Sequence, residues 1–142
     1  MAEKHKKKSR TRGIDTKAKK KRASARAVIK RGTGIVKINR RDLALTEPRY
    51  LRDFIREPLD MSGELAGEVD ISVNAKGGGF MAQAAAARGA IAKGLLEFRS
   101  NDKLKQAMIK YDRQLIVDDS RRVEPKKPLG PKARKKKQTS KR

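Results

Sequence analysis

Apolar and polar positions along the chain change rhythm several times, and each change marks an element. From Ser24 onward, Ala25, Ala27 and Ile29 alternate with Arg26, Val28 and Lys30, the period of a strand with one face turned inward. Arg31-Gly32-Thr33-Gly34 is a turn built on two glycines, and Val36 and Ile38 then share a face within Ile35–Asn39. Two strands joined by a short glycine loop predict a β-hairpin. Thr46-Glu47-Pro48 predicts a helix start: Thr46 caps, Glu47 suits the positive end of the dipole, and Pro48 is tolerated in the first turn. Tyr50, Leu51, Phe54 and Ile55 lie on one face of that helix, and Pro58, lacking a donor, is expected to end it. Gly63 and Gly67 punctuate a loop. Glu68–Asn74 alternates strictly and predicts a third strand with Val69, Ile71 and Val73 inward.

Lys76-Gly77-Gly78-Gly79 precedes an Ala-rich helix from Phe80 to Phe98, whose buried stripe is Ala84, Ala87, Ile91, Leu95 and Phe98. Gly89 and Gly94 inside it each cost about 1 kcal/mol relative to Ala, which implies that the sheet packs very close there. A shorter helix near Asp102 to Tyr111 places Leu104, Met108 and Ile109 inward, and Leu115-Ile116-Val117 reads as a last strand. The order ββαβααβ predicts a two-layer α/β domain of the α+β kind, with helices on one side of a small sheet.

The flanks break this pattern. Residues 1–22 have no apolar periodicity and read as a basic flexible arm, 23–124 as the globular domain, and 125–142 as a basic tail kept extended by Pro125, Pro128, Gly130 and Pro131. The chain of 142 residues suits one domain, with 36 % hydrophobic and 39 % charged residues and a net charge of +23. The charge is unevenly spread. Residues 1–31 hold fourteen Lys and Arg against Glu3 and Asp15, and residues 125–142 hold nine against no acid. The middle is nearly neutral. Extensions of this kind bury no apolar surface and are expected to be disordered until a polyanion orders them.

The candidate chemistry is sparse. His5 is the lone histidine and lies in the arm, and there is no cysteine, so no rigid histidine relay, thiol nucleophile or zinc–thiolate site can be built. Most carboxylates fall on outer faces beside Lys or Arg, and no Walker-type lysine motif is present. An enzyme, a cofactor and a metal are therefore not expected. Gly77-Gly78-Gly79 at a helix start, with Lys76 beside it, suits either phosphate binding or a turn that needs positive φ. No apolar run approaches the roughly 20 residues that cross a bilayer. The extensions lack the apolar face of a membrane-surface helix. With no Trp, two Tyr and three Phe, base stacking on single strands is poorly supplied. The expected partner is the phosphate backbone of a folded polyanion, and a chromatin-type DNA compactor is the alternative that shares the charge.

Many short motifs carry a resemblance. They are Ser24-Ala25-Arg26-Ala27, Gly34-Ile35-Val36-Lys37-Ile38-Asn39, Ile55-Arg56-Glu57-Pro58-Leu59, Val69-Asp70-Ile71-Ser72-Val73, Gly77-Gly78-Gly79, Gln83-Ala84 with Ala87-Arg88-Gly89-Ala90-Ile91-Ala92, and Tyr111-Asp112-Arg113. Arg121-Arg122, Glu124-Pro125-Lys126-Lys127, Gly130, Ala133-Arg134 and the final Gln138, Ser140, Lys141, Arg142 continue it, so it covers roughly residues 20–142. In this order and spacing the chain resembles the protein-nine family of the small ribosomal subunit, in its archaeal and eukaryotic branch.

The resemblance implies a left-handed βαβ crossover, against the usual right-handed rule. It implies small-subunit rRNA in the subunit head as the main ligand, neighbouring ribosomal proteins of the head as further partners, no self-association, and a cytoplasmic, ribosomal location. It assigns peptidyl-site tRNA to Ser140, Lys141 and Arg142, with Arg142 on the backbone of the anticodon stem-loop. Lys141 departs from the Ser-Tyr-Arg ending common in archaeal relatives. For rRNA the expected residues are Lys20, Lys21, Arg22, Arg26, Lys76, Gly77, Gly78, Gly79, Gln83, Arg88, Arg121, Arg122, Lys126, Lys127, Lys132 and Arg134, with Lys135, Lys136 and Lys137 in nonspecific phosphate contact.

Overall fold

The computed structural model describes residues 13–135. Five strands form one mixed sheet: β1 (Ile14–Lys20), β2 (Ala23–Arg31), β3 (Val36–Ile38), β4 (Arg41–Asp42) and β5 (Val69–Lys76). Their spatial order is β1-β2-β5-β3-β4. Four helices accompany them: α1 (Arg49–Ser62), α2 (Glu64–Gly67), α3 (Phe80–Phe98) and α4 (Asp102–Tyr111). Burial alternates along every long strand. Thr16, Ala18, Ala23, Ala25, Ala27, Ile29, Val69, Ile71, Val73 and Ala75 point into the core, and the residues between them face outward. The helices therefore cover one face of the sheet, and the other is left mostly to polar side chains, with Val28 the apolar exception on β2.

The expected two-layer α+β architecture and the limits of α3 and α4 are found in the structure. Asn101 caps α4 by accepting from the backbone N–H groups of Lys103 and Leu104, at 3.1 and 3.3 Å. The two glycines in α3 do meet the sheet. A Cβ on Gly89 would lie 3.2 Å from the Cβ of Ala18, and one on Gly94 would overlap Ile29 and sit 3.1 Å from Thr16 Oγ1. The helix lies so near that the buried Thr16 hydroxyl donates directly to the carbonyl of Ala90, at 2.9 Å.

That closeness explains the main departure from the sequence reading. Residues 14–20, assigned to a flexible arm, form the edge strand β1, paired antiparallel with β2 from Ile14↔Ile29 to Lys20↔Ala23. Only small side chains fit beneath α3. Thr16 and Ala18 face inward among lysines, and their alternation carries almost no hydrophobic contrast. The hairpin is consequently β1–β2. Val36–Ile38 does not turn back on β2, because β5 lies between them, antiparallel to β2 and parallel to β3. The Gly32–Gly34 loop instead crosses the end of β5. Gly32 N–H donates to Glu68 O at 2.9 Å, and the Asp70 carboxylate accepts from the N–H groups of Thr33 and Ile35, at 2.8 and 3.1 Å. These two bonds hold the Asp70 carboxyl below its usual range.

Other elements shift for local reasons. Helix α1 begins after Pro48 without a side-chain cap, while the Thr46 N–H closes a short 3-10 turn at Leu43–Leu45. Tyr50 is exposed, and Leu51 and Ile55 carry the buried face. Pro58 does not stop the helix: its ring is buried beside Ile55 and Leu59, and this packing offsets the missing hydrogen bond. The predicted loop at Gly63–Gly67 contains the turn α2, which buries Leu65. Ile109 points outward, leaving Met108 as the buried residue of α4. Leu115-Ile116-Val117 is not a strand. Asp112 caps a 3-10 turn at Arg113–Leu115, and one parallel bridge joins Asp119 to Lys20.

A Gly94→Ala substitution tests the close helix–sheet contact. Overpacking of this kind costs about 1–3 kcal/mol, opposite in sign to the gain that Ala brings in an exposed helix, and chemical denaturation reads the difference.

Candidate nucleic-acid interface

Two turns meet at one end of the sheet. The β1–β2 turn presents Lys21 and Arg22, with Lys21 at φ 55, and the β5–α3 turn follows Lys76. They pack backbone against backbone. A Cβ on Gly77 would lie 2.7 Å from the carbonyl oxygen of Arg22, and one on Gly78 would lie 3.2 Å from the Cβ of Ala23. Gly77 and Gly78 have φ of 76 and 63. Both glycines are thus required by the turn itself. Gly79 differs: it has φ −100, nothing lies within 4 Å of its would-be Cβ, and it opens α3 with no side-chain cap. The Gln83 N–H closes the first helical turn on Gly79 O at 2.9 Å. The Gly79 side of the turn is therefore open, next to N–H groups that lack intrahelical partners.

Strand register extends this end across the uncovered sheet face. Lys17, Arg26 and Asn74 stand in one row across β1, β2 and β5, and Lys19, Ser24 and Lys76 in the next. A shallow groove of about 390 Å³ runs between these six residues. Lys30 and Lys37 are further exposed cations on the same face. Its carboxylates include Asp15, 3.6 Å from Arg26 Nε, Asp70, which is engaged by the Thr33–Ile35 loop, and Asp42, opposite Lys37 on β4. The strands present no aromatic side chain there, so the face offers cations, hydroxyls and an amide to a phosphate backbone, and no stacking platform for bases.

Arg26, Lys76, Lys21, Arg22 and the three glycines, all candidates from the sequence, thus lie at one end of the sheet, with Gln83 half-buried in the first turn of α3. Lys17, Lys19, Lys30 and Lys37 were not anticipated. The signal for the first two was the lysine at every second position of Lys17-Ala18-Lys19, legible only once this segment is read as a strand.

Other predicted residues lie elsewhere. Arg88 is in the interior, 6 % exposed. It pairs with Glu57 and, at 2.7 Å, with Asp112 Oδ2, and its guanidinium carbon sits 4.4 Å from the centre of the Phe54 ring. Its ionic partners and this ring leave no open side for a phosphate. Burial opposes ionisation of Asp112, but the Gln114 N–H and Arg88 outweigh it and hold this carboxyl below its usual range. Lys20 binds Asp119 at 3.1 Å and Gln114 Oε1, and Arg121 forks onto Asp119. Arg122 donates to the carbonyl of Arg121 at 3.0 Å. Lys126, Lys127, Lys132, Arg134 and Lys135 are exposed on the tail, where Glu124 pairs with Lys127 at 3.0 Å and Arg134 at 2.9 Å. His5, Lys136, Lys137, Ser140, Lys141 and Arg142 lie outside the described residues.

Among the described residues no cluster of His, Cys, Asp or Glu has the arrangement of a metal site, and no helix is long and apolar enough to cross a membrane. A basic, aromatic-free sheet face with a basic tail is better suited to a phosphate backbone than to stacked bases. Comparison with known families matches residues 18–142 to the model described as ribosomal protein S9/S16. A small ribosomal subunit protein uS9 of Methanococcus vannielii is 41 % identical over 128 residues, covering 87 % of this chain and 96 % of that protein. Its namesake in a strain of Methanococcus maripaludis is 39 % identical over the same shares. The chain belongs to the ribosomal protein S9/S16 family.

Two substitutions separate the turn from the binding surface. Gly77→Ala lowers thermal stability, because a side chain there meets both a positive φ and the Arg22 carbonyl. Gly79→Ala leaves the unfolding midpoint unchanged and weakens RNA binding in a filter assay. For the interior, Arg88→Met strands Glu57 and Asp112 and costs about 3 kcal/mol at neutral pH. The Asp112 carboxyl is depressed in the fold, so its contribution is present above the unfolded carboxylate range and disappears as pH falls. Denaturation across pH 7 to 3 therefore shows the deficit shrinking on acidification.

Proposed function

We propose that this protein is a structural constituent of the small ribosomal subunit. It binds rRNA in the head through its open sheet face and basic extensions, and meets peptidyl-site tRNA through Ser140, Lys141 and Arg142. The family match over residues 18–142 carries this reading, and the arrangement of cations supports it. Lys17, Lys19, Arg26 and Lys76 neutralise phosphates that would otherwise repel one another, which lets RNA helices pack against the domain. Lys21, Arg22 and the open side of Gly79 continue the contact at the sheet end. The tail residues Lys126, Lys127, Lys132, Arg134 and Lys135 to Lys137 follow the backbone with little sequence preference. At the end of the tail, Arg142 offers a planar fork suited to a phosphate, with Ser140 and Lys141 beside it. The protein acts within the cytoplasmic ribosome, as one RNA-bound copy beside other head proteins, and its role is positional and not catalytic.

A general DNA compactor shares the charge but has no reason to keep a family-specific order of motifs from strand to tail. Sedimentation of a lysate through sucrose at high salt distinguishes the two: the protein stays with the small subunit, and migration with DNA or to the top of the gradient overturns the reading. Deleting Ser140–Arg142 is expected to leave assembly intact and to speed loss of peptidyl-site tRNA from isolated subunits. Unchanged tRNA retention removes the tail from that role.

A further inference from the structure

Two adjacent carboxylates, Asp118 and Asp119, stand just ahead of the basic tail, in a chain whose net charge is +23. If attraction to a polyanion were the sole constraint, acids at the root of the tail would only weaken it. The structure gives both of them partners. Asp118 Oδ1 accepts from Lys93 Nζ on α3 at 2.6 Å and from the Lys19 N–H on β1 at 3.2 Å, and the same ammonium reaches the Lys17 carbonyl at 3.2 Å. The Asp119 N–H donates to Lys19 O at 3.2 Å. The Asp119 side chain, 6 % exposed, holds Lys20 Nζ at 3.1 Å and Arg121 Nη2 at 2.7 Å. Hydrogen bonds from the Arg121 side chain and backbone, then from Lys20, keep this carboxyl far below its usual range.

Upstream, the segment is tied down by Asp112. One oxygen of this carboxylate takes Arg88 and the other takes the Gln114 N–H at 2.8 Å. Downstream, no hydrogen bond or ion pair among the described residues joins 123–135 back to the domain, and the pairs of Glu124 lie within the tail. The last fixed point before the tail is therefore the stretch Asp118–Arg121, laid along the outer edge of β1.

We propose that Asp118 and Asp119 anchor the tail. Clamped by Lys93, Lys20, Arg121 and the β1 backbone, they fix where and in what direction the tail leaves the domain. Lys20 and Arg121 are then positioning residues and not phosphate ligands. The anchor also covers the end of an edge strand that would otherwise expose unpaired backbone groups. Its consequence for tRNA rests on the tail reading above, but the anchor itself is testable without it.

The chain has no cysteine, so a nitroxide on Ser120→Cys, an exposed position within the stretch, reports its mobility in the full-length protein. The label is restricted in the otherwise wild-type chain and becomes fast-tumbling when D118N and D119N are added, with circular dichroism and the unfolding midpoint confirming the fold. If that variant does not fold, Lys93→Gln opens the anchor from α3 and releases the label in the same way. Equal mobility with and without the substitutions overturns the proposal.

On reconstituted small subunits the two explanations differ in sign. Removing two negative charges strengthens a purely electrostatic tail. Releasing an anchor speeds tRNA loss by about threefold to tenfold, the range that the net contribution of one typical hydrogen bond corresponds to. Retention equal to or better than wild type overturns a role for the anchor in tRNA positioning. Deletion of Ser140–Arg142, measured in parallel, shows whether the tail meets tRNA at all. If that deletion has no effect, the tail reading fails and the label alone decides the anchor.

Discussion

The close seat of α3 on the sheet is the constraint on which the rest of this fold depends. It requires glycine at 89 and 94, and it restricts the facing positions of β1 to Thr16 and Ala18. With so little distance between the layers, much of the contact is made by alanines: 25 and 27 on the sheet, and 84, 86, 87 and 90 on the helix. The larger side chains Ile29, Ile71, Ile91 and Leu95 fill what remains. A thin interface of small residues tolerates no insertion, so it determines the register of helix against sheet more strongly than its apolar area alone would suggest. It also gathers every helix on one face. The opposite face is then free to carry lysines without burying them, and its basic character is a by-product of where the core had to be.

What could be read from the sequence follows from the same physics. Helices α3 and α4 were legible because their apolar spacing and their length are local properties. The inward faces of β2 and β5 were legible from alternation. Strand neighbours were not: periodicity shows that Val36–Ile38 is extended, but only the bonds from the Gly32–Gly34 loop to Glu68 and Asp70 send it to the far side of β5. Strand β1 was hidden because alanine and threonine beneath a close helix look no more apolar than a basic linker. The family resemblance covered motifs from residue 24 onward and said little about it.

The candidate site divides in the same manner. The cluster of Lys21, Arg22, Lys76 and the glycines was legible because turn chemistry and charge are both local. Lys17 and Lys19 depend on β1 and were missed with it. Arg88 was misplaced for the opposite reason: its neighbours Phe54 and Glu57 come from α1 and Asp112 from just beyond α4, and nothing near it in sequence distinguishes an interior arginine from a surface one. Lys20 looked like part of a basic run, yet its partners Gln114 and Asp119 are about a hundred residues away.

Two populations of cations result, and they have different energetic duties. Arg88, Lys20 and Lys93 each have a carboxylate oxygen within hydrogen-bonding reach and hold elements together, and Arg121 closes on Asp119 within one stretch. Lys17, Lys19, Lys30, Lys37 and Lys76 have no ion-pair partner among the described residues, although Lys17 and Lys19 are only two positions apart on one strand. Exposed ion pairs contribute at most about 1 kcal/mol, so leaving these lysines unpaired costs the fold little. Their mutual repulsion persists within a Debye length of about 8–10 Å, at the spacing of neighbouring positions on a sheet. A polyanion laid across the face relieves that repulsion as it binds. Of the carboxylates on that face, Asp15 is engaged beside Arg26 and Asp70 under the Thr33–Ile35 loop. Glu57 and Asp112 under Arg88, and Asp118 and Asp119 at the root of the tail, fix geometry instead.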